Sequence, residues 1–300
     1  MADDVLLMGA VAYDPKVVTI WDGFRRWFTE QGLSFDYLLY SNYERQVEDL
    51  LAGRLHAAWN SPLAWVRARR LAAAGGASGA SSAGTADATE AGGPGGVRAL
   101  AMRDSDCDLT SVVVVRSDSP IHTVADLAGR TVATGAVDSP QATIIPLAWL
   151  HEQGVEPAVR RFDVGVGLHG DHIGGERDAA RALAAGEVDA ACMIDANHLL
   201  FSREGTLAAG STRIIGQTPP YDHCNMTVTA AAPAALVEEF GRLLLAMDYA
   251  DPAVRPLLDL EGLKQWRPGR TQGYRPLEGA VDRSGFYDNE GRVCAADYRP

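Results

Sequence analysis

Short apolar runs alternate with helix-length amphipathic stretches along this chain, and glycine or proline stands between them. Residues 5–12 read as a buried strand that Asp14-Pro15 breaks. Residues 18–31 place Ile20, Phe24, Trp27 and Phe28 at helical spacing, and Gly32 stops the helix. Phe35–Tyr40 reads as a second strand, residues 43–52 as a helix closed by Gly53, residues 56–59 as a short strand and residues 62–74 as a helix. This order predicts a mostly parallel sheet with helices on its faces.

The pattern resumes after residues 75–96, which are nearly all Gly, Ala, Ser and Thr. Such a stretch has little apolar surface to bury, so it predicts a mobile surface insertion. Ser111–Arg116 carries four consecutive valines, the mark of a central strand. Val124–Leu127 reads as a helical turn and Thr131–Thr134 as a strand. Helices are expected over 140–153 and 177–185, ended by Gly154 and Gly186, with a strand over 188–193. Short strands over 213–215 and 226–229 and a long amphipathic helix over 233–247 follow, then a tail from Pro252.

The 300 residues are 47% hydrophobic and 22% charged, which suits one or two folded domains. A net charge of −12 argues against nucleic acid and anionic membranes as partners. Any anion site must then be local, built from backbone N–H groups and a few polar side chains. The first nine residues lack a basic stretch and a long apolar run, and no segment is long enough to span a membrane. As written this predicts a cytoplasmic protein, or an extracytoplasmic one if the sequence is a processed form. Cys107, Cys192, Cys224 and Cys294 are far apart, so isolated thiols are expected rather than a disulfide framework or zinc ribbon.

One corner has anion chemistry in its residues alone. Ser139 is a good N-cap and Pro140 a good first helical residue, so free backbone N–H groups are expected there. Asp138 beside them would repel a dianion unless it points away or binds a cationic part of the ligand.

Three stretches carry a family resemblance. The run SVVVVRSDSPIHTVADLAGRTVAT from Ser111 to Thr134 resembles a strand, D-S-P-I turn, A-D-L-x-G helix and strand found across type II periplasmic binding proteins. YERQVEDLLAGRLHAAWNSP, from Tyr43 to Pro62, is similar to that superfamily's helix, glycine turn and strand ending in a ligand-facing loop. RDAARALAAGEVDA, from Arg177 to Ala190, repeats the pattern. Within the superfamily, the order and spacing resemble the phosphate/phosphonate-binding components of ABC transporters.

The resemblance implies an α/β fold of two lobes joined by two crossover strands, with a ligand in the cleft at the strand tips. Lobe I would comprise residues 1–109 and 220–300, the tail wrapping back over it, and lobe II residues 110–219. The partners implied are a small anionic ligand, phosphonate- or phosphate-like and able to carry an amine, and an ABC-transporter permease. Tyr43, Asn60 and Ser61 match first-lobe ligand positions, and Tyr13 could line the same wall. Ser139 and Thr143 match the hydroxyls that the family sets on phosphonate oxygens. Glu176 stands near where the family carries a histidine, and His172 could substitute from nearby. Asp195 matches an acidic position for a ligand amine, so Asp195 or Glu176 would hold a cationic end.

A second reading stays open, because the superfamily also includes cytosolic enzymes such as chorismate dehydratase and thiamine-pyrimidine precursor synthase. Tyr221-Asp222-His223-Cys224-Asn225 lies near the second crossover. His223 and Cys224 are candidate metal ligands or an acid–base and nucleophile pair. With His172, His169, His198 and Glu176 there are donors enough for iron or zinc. The plain alternative is a polar hinge loop. A ligand sensor is a third reading, without a partner motif to support it.

Overall fold

The computed structural model describes residues 5–77, 96–163 and 172–299. The chain opens with β1 (Leu6–Val11), α1 (Lys16–Glu30), β2 (Phe35–Tyr40), α2 (Tyr43–Leu51), β3 (Ala57–Asn60), α3 (Pro62–Ala77) and β4 (Val97–Arg103). It then builds β5 (Ser111–Arg116), β6 (Thr131–Thr134), α4 (Ile145–Glu152), β7 (Ala158–Arg161), α5 (His172–Ala184), β8 (Ala190–Ile194), α6 (Asp195–Glu204) and β9 (Thr212–Gln217). It ends with β10 (Asn225–Thr229), α7 (Ala234–Ala246), α8 (Arg255–Glu261), β11 (Trp266–Pro268) and α9 (Arg275–Ser284). Most of the expected Gly/Ala-rich insertion, and His169 with it, fall outside the described residues.

The strands form two sheets, in the orders β11-β4-β10-β3-β1-β2 and β7-β6-β8-β5-β9. Both are mixed rather than mostly parallel. β1 runs parallel to β2 and β3, and β6 parallel to β7 and β8. β10 is antiparallel to β3 and β4, and β5 is antiparallel to β8 and β9. The βαβ repeats give the parallel parts. β5 and β10 follow directly on the segments that pass from one sheet to the other, and each enters its sheet antiparallel to a neighbour.

Helical periodicity explains the first core. Ile20, Phe24 and Phe28 recur every four residues on α1 and are fully buried, while Trp27 at the stripe's edge is half-buried. Phe28 meets Phe35 of β2 at 4.8 Å and Phe240 of α7 at 5.2 Å between ring centroids. Strand periodicity explains the second sheet. Val112 and Val114 pack with Ala179 and Leu183 of α5, while Val113 and Val115 pack on the other face with Leu127 and Leu150.

A third core joins the halves. Leu63, Trp65 and Val66 of α3 share it with Ile145 and Ala148 of α4, Leu277 and Val281 of α9, and Phe286, Tyr287 and Tyr298 of the tail. Arg283 reaches His151 at 3.0 Å and Glu152 at 3.3 Å, and Arg161 reaches Asp297 at 3.3 Å. The tail therefore packs against both halves, not the first alone.

The two connecting segments touch where Leu109 bridges Tyr221. Asp222, fully buried, takes Arg270 through both oxygens, at 2.7 Å and 2.6 Å, and accepts from the Asp108 backbone N–H at 3.1 Å. Arg270 also reaches Asp108 at 2.7 Å. Gly273 lies against this pair, and a Cβ there would run into the Asp222 carboxylate. Gly273→Ala is expected to destabilise the chain by about 1–3 kcal/mol through overpacking at a site that cannot relax. Chemical denaturation checks it; an unchanged midpoint would show that the clamp yields freely.

Candidate functional site

The helix starts and strand tips of both halves face one cavity of about 180 Å³. From the first sheet's side come Tyr13 after β1, Tyr43 and Glu44 at the start of α2, Trp59 of β3, Ser61, Pro62 and Leu63 at the start of α3, and Arg103 at the end of β4. From the second come Asp138, Pro140 and Gln141 at the turn leading into α4, and His172 and Ile173 at the start of α5. His223 and Cys224 precede β10, and Tyr287 and Tyr298 come from the tail.

The local sequence sets these helix starts. Asn42 caps α2 by accepting from the Arg45 N–H at 2.9 Å. Ser61 accepts from Ala64 N–H at 3.2 Å, and Ser139 from Ala142 N–H at 3.2 Å. Each start leaves backbone N–H groups and the positive end of a helix dipole toward the cavity. An oxyanion can be held this way in a chain of net charge −12.

The site's arginine is already engaged. Arg103 binds Asp106 at 2.5 Å and 2.9 Å, reaches the Glu261 carbonyl at 2.8 Å and its carboxylate at 3.2 Å, and lies 5.2 Å over the Trp59 ring. Burial opposes ionisation of Asp106, but Arg103 and His223 overcome it and hold the carboxyl down at about 2. Glu261 is pushed up to about 7 by burial, with Arg103 only partly offsetting it.

Of the residues singled out from sequence, Tyr13, Tyr43, Ser61, His172, His223 and Cys224 line the cavity. Asn60, Ser139, Thr143, Glu176 and Asp195 do not. Asn60 is buried beneath it, accepting from Gln46 at 2.9 Å and donating to Thr227 at 2.8 Å. Ser139 is fully buried as the helix cap, and Thr143 is buried one turn behind it. Asp195 is exposed and accepts from Thr110 at 2.9 Å. Glu176 is fully buried, accepting from the Ile194 N–H at 3.0 Å and Asn197 at 2.9 Å. Sequence reasoning missed Glu44, Trp59, Arg103, Gln141, Tyr287 and Tyr298. The Tyr287 and Tyr298 hydroxyls reach Glu44 from more than two hundred residues away, which no local pattern records.

The expected metal set does not hold together. His172 turns to Asp138, at 3.2 Å. Among the described residues, Asp106, His223 and Cys224 bring one donor atom each within 4.8 Å of one another. That trio fits neither zinc nor iron, because Arg103 occupies both Asp106 oxygens and would repel a cation. Burial, and then Asp106, also push the Cys224 thiol well above its ordinary value, away from the thiolate a metal needs. His223 instead bridges the halves, with Nδ1 3.3 Å from Asp106 and Nε2 3.4 Å from Gln141 Oε1.

Comparisons with known proteins place this geometry. A family model described as the periplasmic substrate-binding protein of phosphonate ABC transporters matches residues 9–274. Among solved structures, PhnD1 from Prochlorococcus marinus (MIT 9301) in complex with methylphosphonate has 16% identity and a TM-score of 0.65, over 94% of this chain and 99% of that one. XAC2383 from Xanthomonas citri, bound to ATP, has 18% identity and a TM-score of 0.65, over 93% and 98%. The periplasmic aliphatic sulphonate-binding protein SsuA from Escherichia coli has 14% identity and a TM-score of 0.52, over 99% and 94%. At these identities the likeness shows the two-lobed fold. A search of curated proteins found no match.

Burial pushes the Glu176 carboxyl up to about 7, against donors from Asn197, Ile194 and Gln141. Such a group binds its proton more tightly in the folded chain. Its contribution to stability is therefore complete below the ordinary value of 4.5 and is lost as pH rises through about 7. Glu261, also pushed up to about 7, adds a decline of the same sign. Glu176→Gln is expected to flatten part of the fall in melting temperature across that window. Melting curves from acid to neutral pH check this; an identical slope in the variant refutes it.

Proposed function

Because this chain belongs to the family of periplasmic substrate-binding proteins of phosphonate ABC transporters, we propose that it captures a small phosphonate, or a similar oxyanion, between its halves and hands it to a transporter permease. One observation carries the reading: helix starts from both halves converge on a single cavity. Anion oxygens there would accept from backbone N–H groups and from the hydroxyls of Tyr13, Tyr43 and Ser61. At a share of about 30 Å³ per water, 180 Å³ suits a solute of about half a dozen heavy atoms. Methylphosphonate in the Prochlorococcus relative is of that size.

The lobes would be residues 1–109 with 220–300, and residues 110–219, turning about the Leu109–Tyr221 contact. The family description makes the periplasm, or its equivalent outside the cytoplasmic membrane, the proposed place of work. No helix among the described residues is long and apolar enough to cross a membrane.

Calorimetric titration with methylphosphonate, ethylphosphonate, inorganic phosphate and ethanesulfonate tests the reading. At least one should bind with a stoichiometry of about one per chain. Ser61→Ala is expected to weaken that ligand by about 1–2 kcal/mol, the worth of a hydroxyl bond to a charged group. No heat from any of the four refutes oxyanion capture, and an unchanged dissociation constant removes Ser61 from the site. Ser139→Ala should instead lower stability, by about 0.5–2 kcal/mol, as loss of a helix cap does.

A further inference from the structure

The cavity has a face that an anion alone leaves unused. Glu44 of α2 and Asp138 of the turn before α4 both line it, one from each sheet's side. Tyr298 donates to Glu44 Oε1 at 3.0 Å and Tyr287 at 3.5 Å, and His172 stands 3.2 Å from Asp138 Oδ1. Burial first, and then both carboxylates, raise the Tyr287 and Tyr298 phenols far above their ordinary value, so Glu44 and Asp138 act on one shared space. Tyr13, Tyr43 and Trp59 add aromatic surface. A phosphonate oxygen placed on this face would be repelled by two like charges. An ammonium group would be drawn to both and to the faces of the tyrosine rings.

We propose that this face is a subsite for a protonated amine, so that the solute carries an ammonium group a few bonds from its oxyanion. The inference rests on the solute-capture reading above and narrows it to zwitterionic ligands. Asp195 and Glu176, expected from sequence to hold a cationic end, do not line the cavity; Glu44 and Asp138 do. Arg103 does not compete for them, being bound to Asp106 and Glu261. Tyr287 and Tyr298 lie beyond the residues that the family model matches, so this wall is not assigned by family membership. The arrangement also couples selection to closure. Two carboxylates facing one another from separate lobes resist approach, and an ammonium between them turns repulsion into attraction.

Calorimetry on the full chain with two matched pairs tests the subsite: ethylphosphonate against 2-aminoethylphosphonate, and ethanesulfonate against 2-aminoethanesulfonate. In the pair whose oxyanion is accepted, the aminated member should bind about tenfold tighter or more. Glu44→Gln and Asp138→Asn, both isosteric, should each cut that preference to about threefold or less while leaving the plain member no weaker. Equal binding of both members overturns the subsite and leaves solute capture standing. A preference that survives both variants puts the amine elsewhere and overturns the assignment. No binding by any of the four overturns solute capture, and this inference with it. Should one variant fail to show a normal melting transition, the wild-type ratio and the other variant decide.

Discussion

Two strips of backbone, crossing side by side between the sheets, decide whether this molecule has a cavity at all. They are fastened by an ion pair that the surroundings leave little freedom: Asp222, fully buried, with both oxygens on Arg270. A buried carboxylate without its partner is costly, and a buried pair tolerates little misplacement. Arg270 also holds Asp108 on the other strip, and the Gly273 backbone carbonyl accepts from the Asp222 N–H at 2.9 Å. Both crossovers are thus indexed to one guanidinium. From that fixed point the tips of β1, β3 and β4 and the turn after β6 come to face each other. Every distance across the cavity depends on the clamp.

The electrostatics of the cavity follow from what is already paired. A chain with 39 acidic and 27 basic residues has little positive field to offer an anion. Its cavity arginine is committed to Asp106 and Glu261, and its guanidinium is stacked over Trp59. Through that engagement Arg103 keeps Asp106 ionised beside His223, which in turn reaches Gln141 across the cleft. What remains for an oxyanion is dipolar, the helix starts at Tyr43, Ser61 and Pro140 with nearby hydroxyls. Dipoles of this sort are short-ranged and directional, so they select geometry rather than bulk charge.

Much of the fold could be read from the sequence, and the reason is periodicity. Ile20, Phe24 and Phe28 recur every four residues, and the valines of β5 alternate between two cores. Helix caps were equally legible, since Ser139 with Pro140 encodes its own turn. Sheet direction was not. The strand that reverses it, β10, has the local pattern of any buried strand, and only its arrival from the other half makes it antiparallel. The site was half legible for the same reason. Tyr43 and Ser61 stand at helix starts that sequence marks. Glu44 and Arg103 have the local pattern of ordinary surface charges, and both side chains are largely buried. Residues matched by position, such as Asp195 and Glu176, turned out exposed or sealed in, because a shift of a few residues at the start of α5 re-aims everything beyond it.

The tail raises a question of mechanics. In a hinged pair of lobes, closure is expected to be limited by how freely one half moves on the other. Here Phe286, Tyr287 and Tyr298 share an apolar core with α3 on one side and α4 on the other. Arg283 and Asp297 add ion pairs to the second half. Opening the cleft widely would expose part of that core, and apolar burial of about 25 cal/mol per Å² opposes it. The same segment carries the two hydroxyls on Glu44. Wall and tether are therefore one piece of chain, and any motion that frees the solute must first loosen the residues that shape its pocket.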